Sequence, residues 1–272
     1  MPASGPPRRP DPVDEHVVER GAEADRERAG EHGGVAEAGD LDPRRVGAVL
    51  AEQPADRLEQ RLGVPVSVEN DVNLAAVGEH WRGVGQGVDD FVFLSVGTGL
   101  GAGLVLLGEL HRGHHGAAGE VDFALGGDLE RENDPAASGV VGFAGQLAAR
   151  AELRTSLAAP FDARAGGSED RAGDELARAV VDEEARRIAQ HILPIAAVAD
   201  VALIVIGGGI GANGDLLLEP IRALLAQRCP YPPRVEVSSL GDAAVLTGAL
   251  AIGLRAALDN VFVNRIRVRG PA

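Results

Sequence analysis

The chain has 272 residues, 45% hydrophobic and 25% charged, a globular composition with room for one large domain or two that share a cleft. A formal net charge of −15 argues against gripping a nucleic-acid backbone by bulk electrostatics, and the single cysteine, Cys229, excludes an intrachain disulfide and a cysteine-rich zinc cage. No run of about 18 uninterrupted apolar residues occurs, so a membrane span is excluded, and without an apolar signal core at the N-terminus the cytoplasm is the default location.

Residues 1–44 are rich in Pro, Arg, Glu, Asp and Gly and have no sustained apolar period. They are expected to form a disordered or non-native leader, and resemble neither a basic DNA-binding arm nor a helix-turn-helix. Residues 45–62 carry a helical period with Leu50, Leu58 and Leu62 as core contacts, Pro54 breaking it or starting its second piece, and Gly63 as C-cap. Val64 to Glu69 alternates as a strand and delivers Asn70 and Asp71 at its carboxyl end, where open α/β sheets place ligand-binding groups. A short helix, Asn73 to Trp81, follows, with capping side chains at Asn70 to Asn73.

Phe91 to Gly108 reads as two apolar strands, FVFLSV and GLVLL, joined by a turn GTGLGAG. A strand or turn and then a loop deliver Glu120. Residues 127–138 form a polar loop, Val140 to Ala159 a helix, and 160–173 a second polar loop. Asp174 to Val198 is a long amphipathic helix interrupted at Pro194, and Asp200 to Ile206 a buried strand entering GGGIGANG at the start of another helix. A last strand, Arg234 to Val237, precedes a small-residue helix, Asp242 to Leu258. Strands and helices in this order predict an α/β architecture.

Three stretches could carry chemistry, each with a plainer alternative. GTGLGAG is neither a Walker A loop nor a dinucleotide fingerprint. Its backbone N–H groups and the Thr98 hydroxyl could hold an anion, or it is a structural hairpin turn. The glycines at Gly207 to Gly214 let a flat ligand lie against the backbone, or simply allow close packing. Asp71 could take a proton from a hydroxyl as general base, or Asp71 or Asn70 caps a helix. Glu120 is by default a surface glutamate. His111, His114 and His115 lack an evident carboxylate or cysteine partner, so no metal site is assigned to them.

Four segments in order, GVPVSVENDVNLAAVGEHWRG, FVFLSVGTGLGAGLVLLGELHRGHHGAAGEV, LIVIGGGIGANGDLLLEPIR and SSLGDAAVLTGALAIGL, resemble the ROK family of bacterial sugar kinases and sugar-responsive transcriptional repressors. The resemblance implies the actin-like ATPase (ribonuclease H-like) fold, two α/β domains around a cleft. The first domain is expected to be incomplete here, with residues 45–88 as its remnant, joined by the C-terminal helix 242–258, and 89–241 as the second. It further implies Asp71 as general base, with Asn70, Asp71 and Glu120 on sugar hydroxyls. Gly97, Thr98 and Gly99 would form a phosphate loop, and Gly207, Gly208 and Gly209 would line an adenosine pocket. ATP and Mg2+ would serve if the chain is catalytic.

The sequence also departs from the family pattern. No Asp-x-Gly-Gly-Thr motif occurs in residues 1–62, Phe123 stands where family kinases have a histidine that helps bind sugar and a structural zinc, and the cysteine-rich zinc loop is replaced by GDLERENDPAAS. The expectation is therefore a sugar-binding, regulator-type domain without robust catalysis and without zinc. The alternatives are an ATP-dependent, glucokinase-like hexose kinase and a degenerate fragment. A small-molecule sugar is the expected partner and a homodimer the assembly the resemblance implies. Direct nucleic-acid binding and membrane attachment are not expected.

Overall fold

The computed structural model describes residues 54–125, 133–150, 174–211 and 214–268. They fall into two units, divided after Val66. The first holds a helix over residues 54–62 that begins at Pro54, where a missing N–H costs nothing. It ends at Gly63, whose positive φ of 69° suits glycine and whose N–H bonds to the Glu59 carbonyl at 2.8 Å. Leu58 and Leu62 are exposed rather than core contacts, and Leu50 lies outside the described residues. The strand expected over Val64 to Glu69 does not form either. Pro65 has no N–H to give a ladder, Val64 and Val68 are exposed, and residues 65–70 join no strand among the described residues.

The second unit is built on one five-stranded mixed sheet, ordered β3-β2-β1-β4-β5. β1 (Phe91–Val96) and β2 (Leu100–Leu106) form an antiparallel hairpin with Phe91 opposite Val105 and Val96 opposite Leu100. β3 (Glu109–His111) extends it antiparallel to β2. On its other side β1 pairs in parallel with β4 (Leu203–Gly207), and β4 with β5 (Arg234–Val237). β1 and β4 are apolar at nearly every position because helices cover both faces. Val92, Leu94, Ile204 and Ile206 point to one side and Phe91, Phe93, Leu203 and Val205 to the other, the period-2 alternation of a strand.

Five helices dress this sheet: α1 (Asp71–Arg82), α2 (Ala137–Arg150), α3 (Glu175–Ala199), α4 (Gly214–Arg228) and α5 (Ala244–Val268). The larger core packs Leu176, Ile188 and Ile192 of α3 and Leu217, Ile221 and Leu225 of α4 beneath one face. Ala75 and Ala76 of α1 and Ala244 of α5 cover the other.

The hairpin turn is shorter than the expected GTGLGAG. Only Gly97, Thr98 and Gly99 turn; Gly101 and Gly103 are strand residues paired with Ser95 and Phe93. Gly103 is there for packing, since a Cβ on it would lie 2.7 Å from the Val72 carbonyl oxygen and 2.8 Å from the Ala76 Cβ. Pro194 does not interrupt α3, which Asp174 caps through 3.0 Å bonds from the Leu176 and Ala177 amides and which runs on to Ala199. Buried Ile192 and Ala196 on either side supply the packing that offsets the lost backbone bond. The loops expected over 127–138 and 160–173, and the end of the helix expected to reach Ala159, lie wholly or partly outside the described residues.

Among the described residues one helical stretch, Gly241–Val261, is long and apolar enough to cross a bilayer by length and composition alone, with isolated charges such as Arg255 interrupting its apolar run.

Candidate functional site

Beyond the carboxyl ends of the parallel strands β1 and β4 lies a cleft of about 700 Å3. Crevices at this end of an open sheet are where ligand groups converge. Asn70, Asp71, Gly97, Thr98, Gly99, Glu120, Gly208 and Gly209, all singled out in the sequence, line it. Gly207 does not. It ends β4 as a buried residue, and a Cβ on it would lie 2.3 Å from the Phe93 ring, so it forms support beneath the wall.

Asn70 and Asp71 reach the cleft from the start of α1. Asn70 is extended (φ −61°, ψ 140°) and its Oδ1 accepts from the Val72 amide at 2.8 Å and the Asn73 amide at 3.2 Å. Asp71 Oδ1 also accepts from the Val72 amide, at 2.8 Å. The capping role and the cleft-facing role therefore coexist. The cap fixes one atom of each side chain and leaves Asn70 Nδ2 and Asp71 Oδ2 without a bonded partner among the described residues. An exposed carboxylate oxygen and an amide donor together suit a hydroxyl-bearing ligand.

Glu120 arrives on the loop after β3. The Ala118 amide bonds back to the Arg112 carbonyl at 3.1 Å, and the Ala102 amide of β2 bonds to the Gly119 carbonyl at 2.9 Å. Gly119 has φ +97°, and a Cβ there would collide with the Ala102 oxygen, so the close approach requires glycine. At the loop's near end Arg112 pairs with Glu69, the residue before Asn70. Glu120 is thus a cleft residue held by a built loop rather than an incidental surface glutamate.

The two glycine segments form the opposite side. Gly97 N–H bonds across its own turn to the Gly99 carbonyl at 3.0 Å, while its carbonyl accepts the amide of Ala137, the first residue of α2, at 2.8 Å. Gly208 has φ +82°, and a Cβ there would lie 2.5 Å from the Val96 carbonyl oxygen. The close approach of Gly208 to β1 therefore requires glycine.

Sequence reasoning missed several contributors. Ala137 and Val141 of α2 line the cleft although nothing in their chemistry marks them. Glu69, the first residue of ENDVN, and Arg112 were given no role; the position of Glu69 next to Asn70 was the available signal. Glu79, fully buried at the far end of α1, accepts from Ser238 Oγ at 2.5 Å, the Val84 amide at 2.9 Å and the Leu240 amide at 3.2 Å. It ties α1 to the segment after β5.

The chain carries a single cysteine, Cys229, where the resemblance implies a cysteine-rich loop. Its one cysteine donates to the Tyr231 carbonyl at 3.3 Å beyond α4. Among the described residues no three His, Cys, Asp or Glu side chains are grouped to hold a metal. His114 and His115 merely meet edge to face at 4.5 Å.

The sequence profile of the ROK family matches residues 48–256. The chain is 32% identical over 216 residues to a glucokinase of Halalkalibacterium halodurans, covering 71% of this chain and 65% of that protein. It is 28% identical over 216 residues to a xylose repressor of Caldicellulosiruptor bescii, covering 72% and 53%. It therefore spans somewhat under two thirds of the first relative and about half of the second. Among solved structures it superimposes on a ROK family glucokinase from Streptomyces griseus, in complex with glucose and AMPPNP, with a TM-score of 0.62 and 31% identity over 73% of this chain and 71% of that one. With the mixed sheet, these neighbours give the actin-like ATPase fold.

Proposed function

Because the chain belongs to the ROK family, we propose that its cleft binds a small sugar and that it works as a sugar-binding, regulator-type domain rather than as a robust catalyst. The observation that carries this reading is the convergence of Asn70, Asp71 and Glu120 on one cleft from separate segments. An amide donor and two carboxylate acceptors match the alternating donor and acceptor capacity of adjacent sugar hydroxyls. Phe123, in place of a family histidine, and the lack of zinc donors favour sensing over turnover. We place the protein in the cytoplasm, without direct contact to nucleic acid or membrane, and as a homodimer, on the strength of the family alone.

Calorimetric titration of the full chain with hexoses and pentoses, D-glucose and D-xylose first, tests it. Saturable binding that weakens about tenfold in Glu120→Gln is expected, the loss of one charge-assisted hydrogen bond. A chain that binds no sugar in the panel overturns the reading and leaves a degenerate fragment.

A second reading, ATP-dependent hexose phosphorylation, has its own support: Gly97, Thr98, Gly99, Gly208 and Gly209 line the same cleft. The Thr98 hydroxyl and the backbone at Gly208 and Gly209 would hold a nucleotide, which would bring Mg2+ and a transferable phosphoryl group. Asp71 would accept the proton of the attacking hydroxyl. A coupled ADP-release assay is expected to show no sugar-dependent turnover. Turnover that disappears in Asp71→Asn while sugar binding persists would replace the first reading with this one.

A further inference from the structure

The carboxylate of Glu69 is taken up completely by its neighbours. Oε1 accepts from Asn73 Nδ2 at 2.9 Å and from the Asn70 amide at 3.1 Å. Oε2 accepts from Arg112 Nε at 2.7 Å, with Arg112 Nη2 at 2.6 Å. Two of these groups, Asn73 Nδ2 and the Asn70 amide, belong to the segment that presents Asn70 and Asp71 or to its helix, and Arg112 lies 43 residues away at the root of the loop that presents Glu120. The Glu69 side chain is only 14% exposed. A partly shielded carboxylate in several charge-assisted bonds differs from an isolated surface ion pair, which contributes little. Neither Glu69 nor Arg112 lines the cleft, so neither reaches the ligand.

Resting on the reading of this cleft as a sugar site, we propose that Glu69 and Arg112 are a positioning pair: their ion pair sets the spacing between Asn70 and Asp71 on one segment and Glu120 on another, and thereby which sugar hydroxyls can be bridged. The loop between has two attachments. At the far end Gly119 bonds to Ala102 of β2, and at the near end Arg112 holds Glu69 while its carbonyl closes the loop onto Ala118. Without the near attachment, Glu120 stays tethered to the sheet but loses its register against α1. Gly113 and Gly116, both at positive φ (75° and 73°), leave the intervening backbone little stiffness of its own.

The test is a double-mutant cycle on the full chain with Arg112→Ala, Glu120→Gln and the combination. Binding is measured by calorimetry with D-glucose or D-xylose, whichever the wild type binds, and melting temperature is recorded in parallel. Arg112→Ala weakens binding about tenfold, and Glu120→Gln then costs much less than in the wild type, because a misplaced carboxylate no longer meets its hydroxyl. Arg112→Lys, which keeps the charge but not the fork, retains part of the affinity, and carries the comparison if the alanine variant does not fold. A purely structural role would shift the melting temperature and leave the cost of Glu120→Gln unchanged. Additive losses therefore overturn the pair while leaving the sugar site standing. If the wild type binds neither sugar, that reading of the cleft falls, and hydrogen exchange decides the pair. Faster exchange of the Ala118 and Glu120 amides in Arg112→Ala supports it, and unchanged exchange overturns it.

Discussion

Two fully enclosed glutamates show how differently one residue type can be housed. Glu79 on α1 is surrounded by donors, with Ser239 Oγ at 3.4 Å joining Ser238, Val84 and Leu240. Glu184 on α3 is 4% exposed, and neither of its carboxylate oxygens has a hydrogen-bond partner. Burial pushes its pKa up to about 9; Arg187 opposes the shift, while Asp134 and Glu183 add to it. Arg187 cannot relieve it, because its guanidinium is held by Glu183 and the Asp134 carbonyl, each within 2.9 Å. Glu183 has the opposite fate: burial disfavours its charge, but bonds from Arg186 and Arg187 outweigh that and hold its carboxyl below the usual range. The consequence for Glu184 has a definite sign. Below about pH 4.5 it is protonated in folded and unfolded chains alike. Between there and about 9 the unfolded chain ionises while the folded one keeps its proton, so stability falls as pH rises, by at most about 1.4 kcal/mol per pH unit. The melting temperature is expected to drop between pH 5 and 8 in the wild type and to drop markedly less in Glu184→Gln.

At the scale of elements, α1 matters most, and what holds it is backbone proximity rather than large side chains. It crosses α5 where Gly78 faces Gly248. A Cβ on Gly78 would lie 2.3 Å from the Ala244 carbonyl oxygen, and one on Gly248 would run into the Leu74 carbonyl. Both obstacles are backbone, so neither can turn aside. Gly248→Ala is expected to destabilise by about 1–3 kcal/mol in denaturant unfolding, the cost of overpacking. Gly253→Ala is the control on the same helix. Nothing lies within 4 Å of its added methyl, and helix propensity favours the change by about 1 kcal/mol. Equal effects from the two would refute a backbone-limited crossing.

Across the whole molecule, what was legible in the sequence follows from where local chemistry alone decides. β1, β4 and β5 were readable because continuous or alternating apolar runs are required of covered strands, and the β5 bounds match residue for residue. Asn70, Asp71, Thr98 and Glu120, whose roles were expected through the family resemblance, all line one cleft. What escaped is what only three dimensions supply. A strand needs a neighbour, and among the described residues none pairs with Val64 to Glu69. A glycine run does not say which glycines turn and which make room for a helix, so Gly101 and Gly103 were assigned to the wrong job. Glu69 and Arg112 are unremarkable until 43 residues of chain fold back. On the small-residue helix α5, Leu246, Leu250, Leu254 and Leu258 are exposed.

The bond from the Ala137 amide to the Gly97 carbonyl gives this arrangement a spectroscopic handle. That N–H belongs to α2 but is polarised by an acceptor in the turn, so its proton resonance senses the electron density on a carbonyl at the cleft wall. A 15N-labelled sample should move the Ala137 cross-peak when an anion or nucleotide settles on residues 97–99, and hold it nearly still when a neutral sugar fills only the Asn70 and Glu120 side. One amide, read during two titrations, would thus map which half of the crevice each ligand visits.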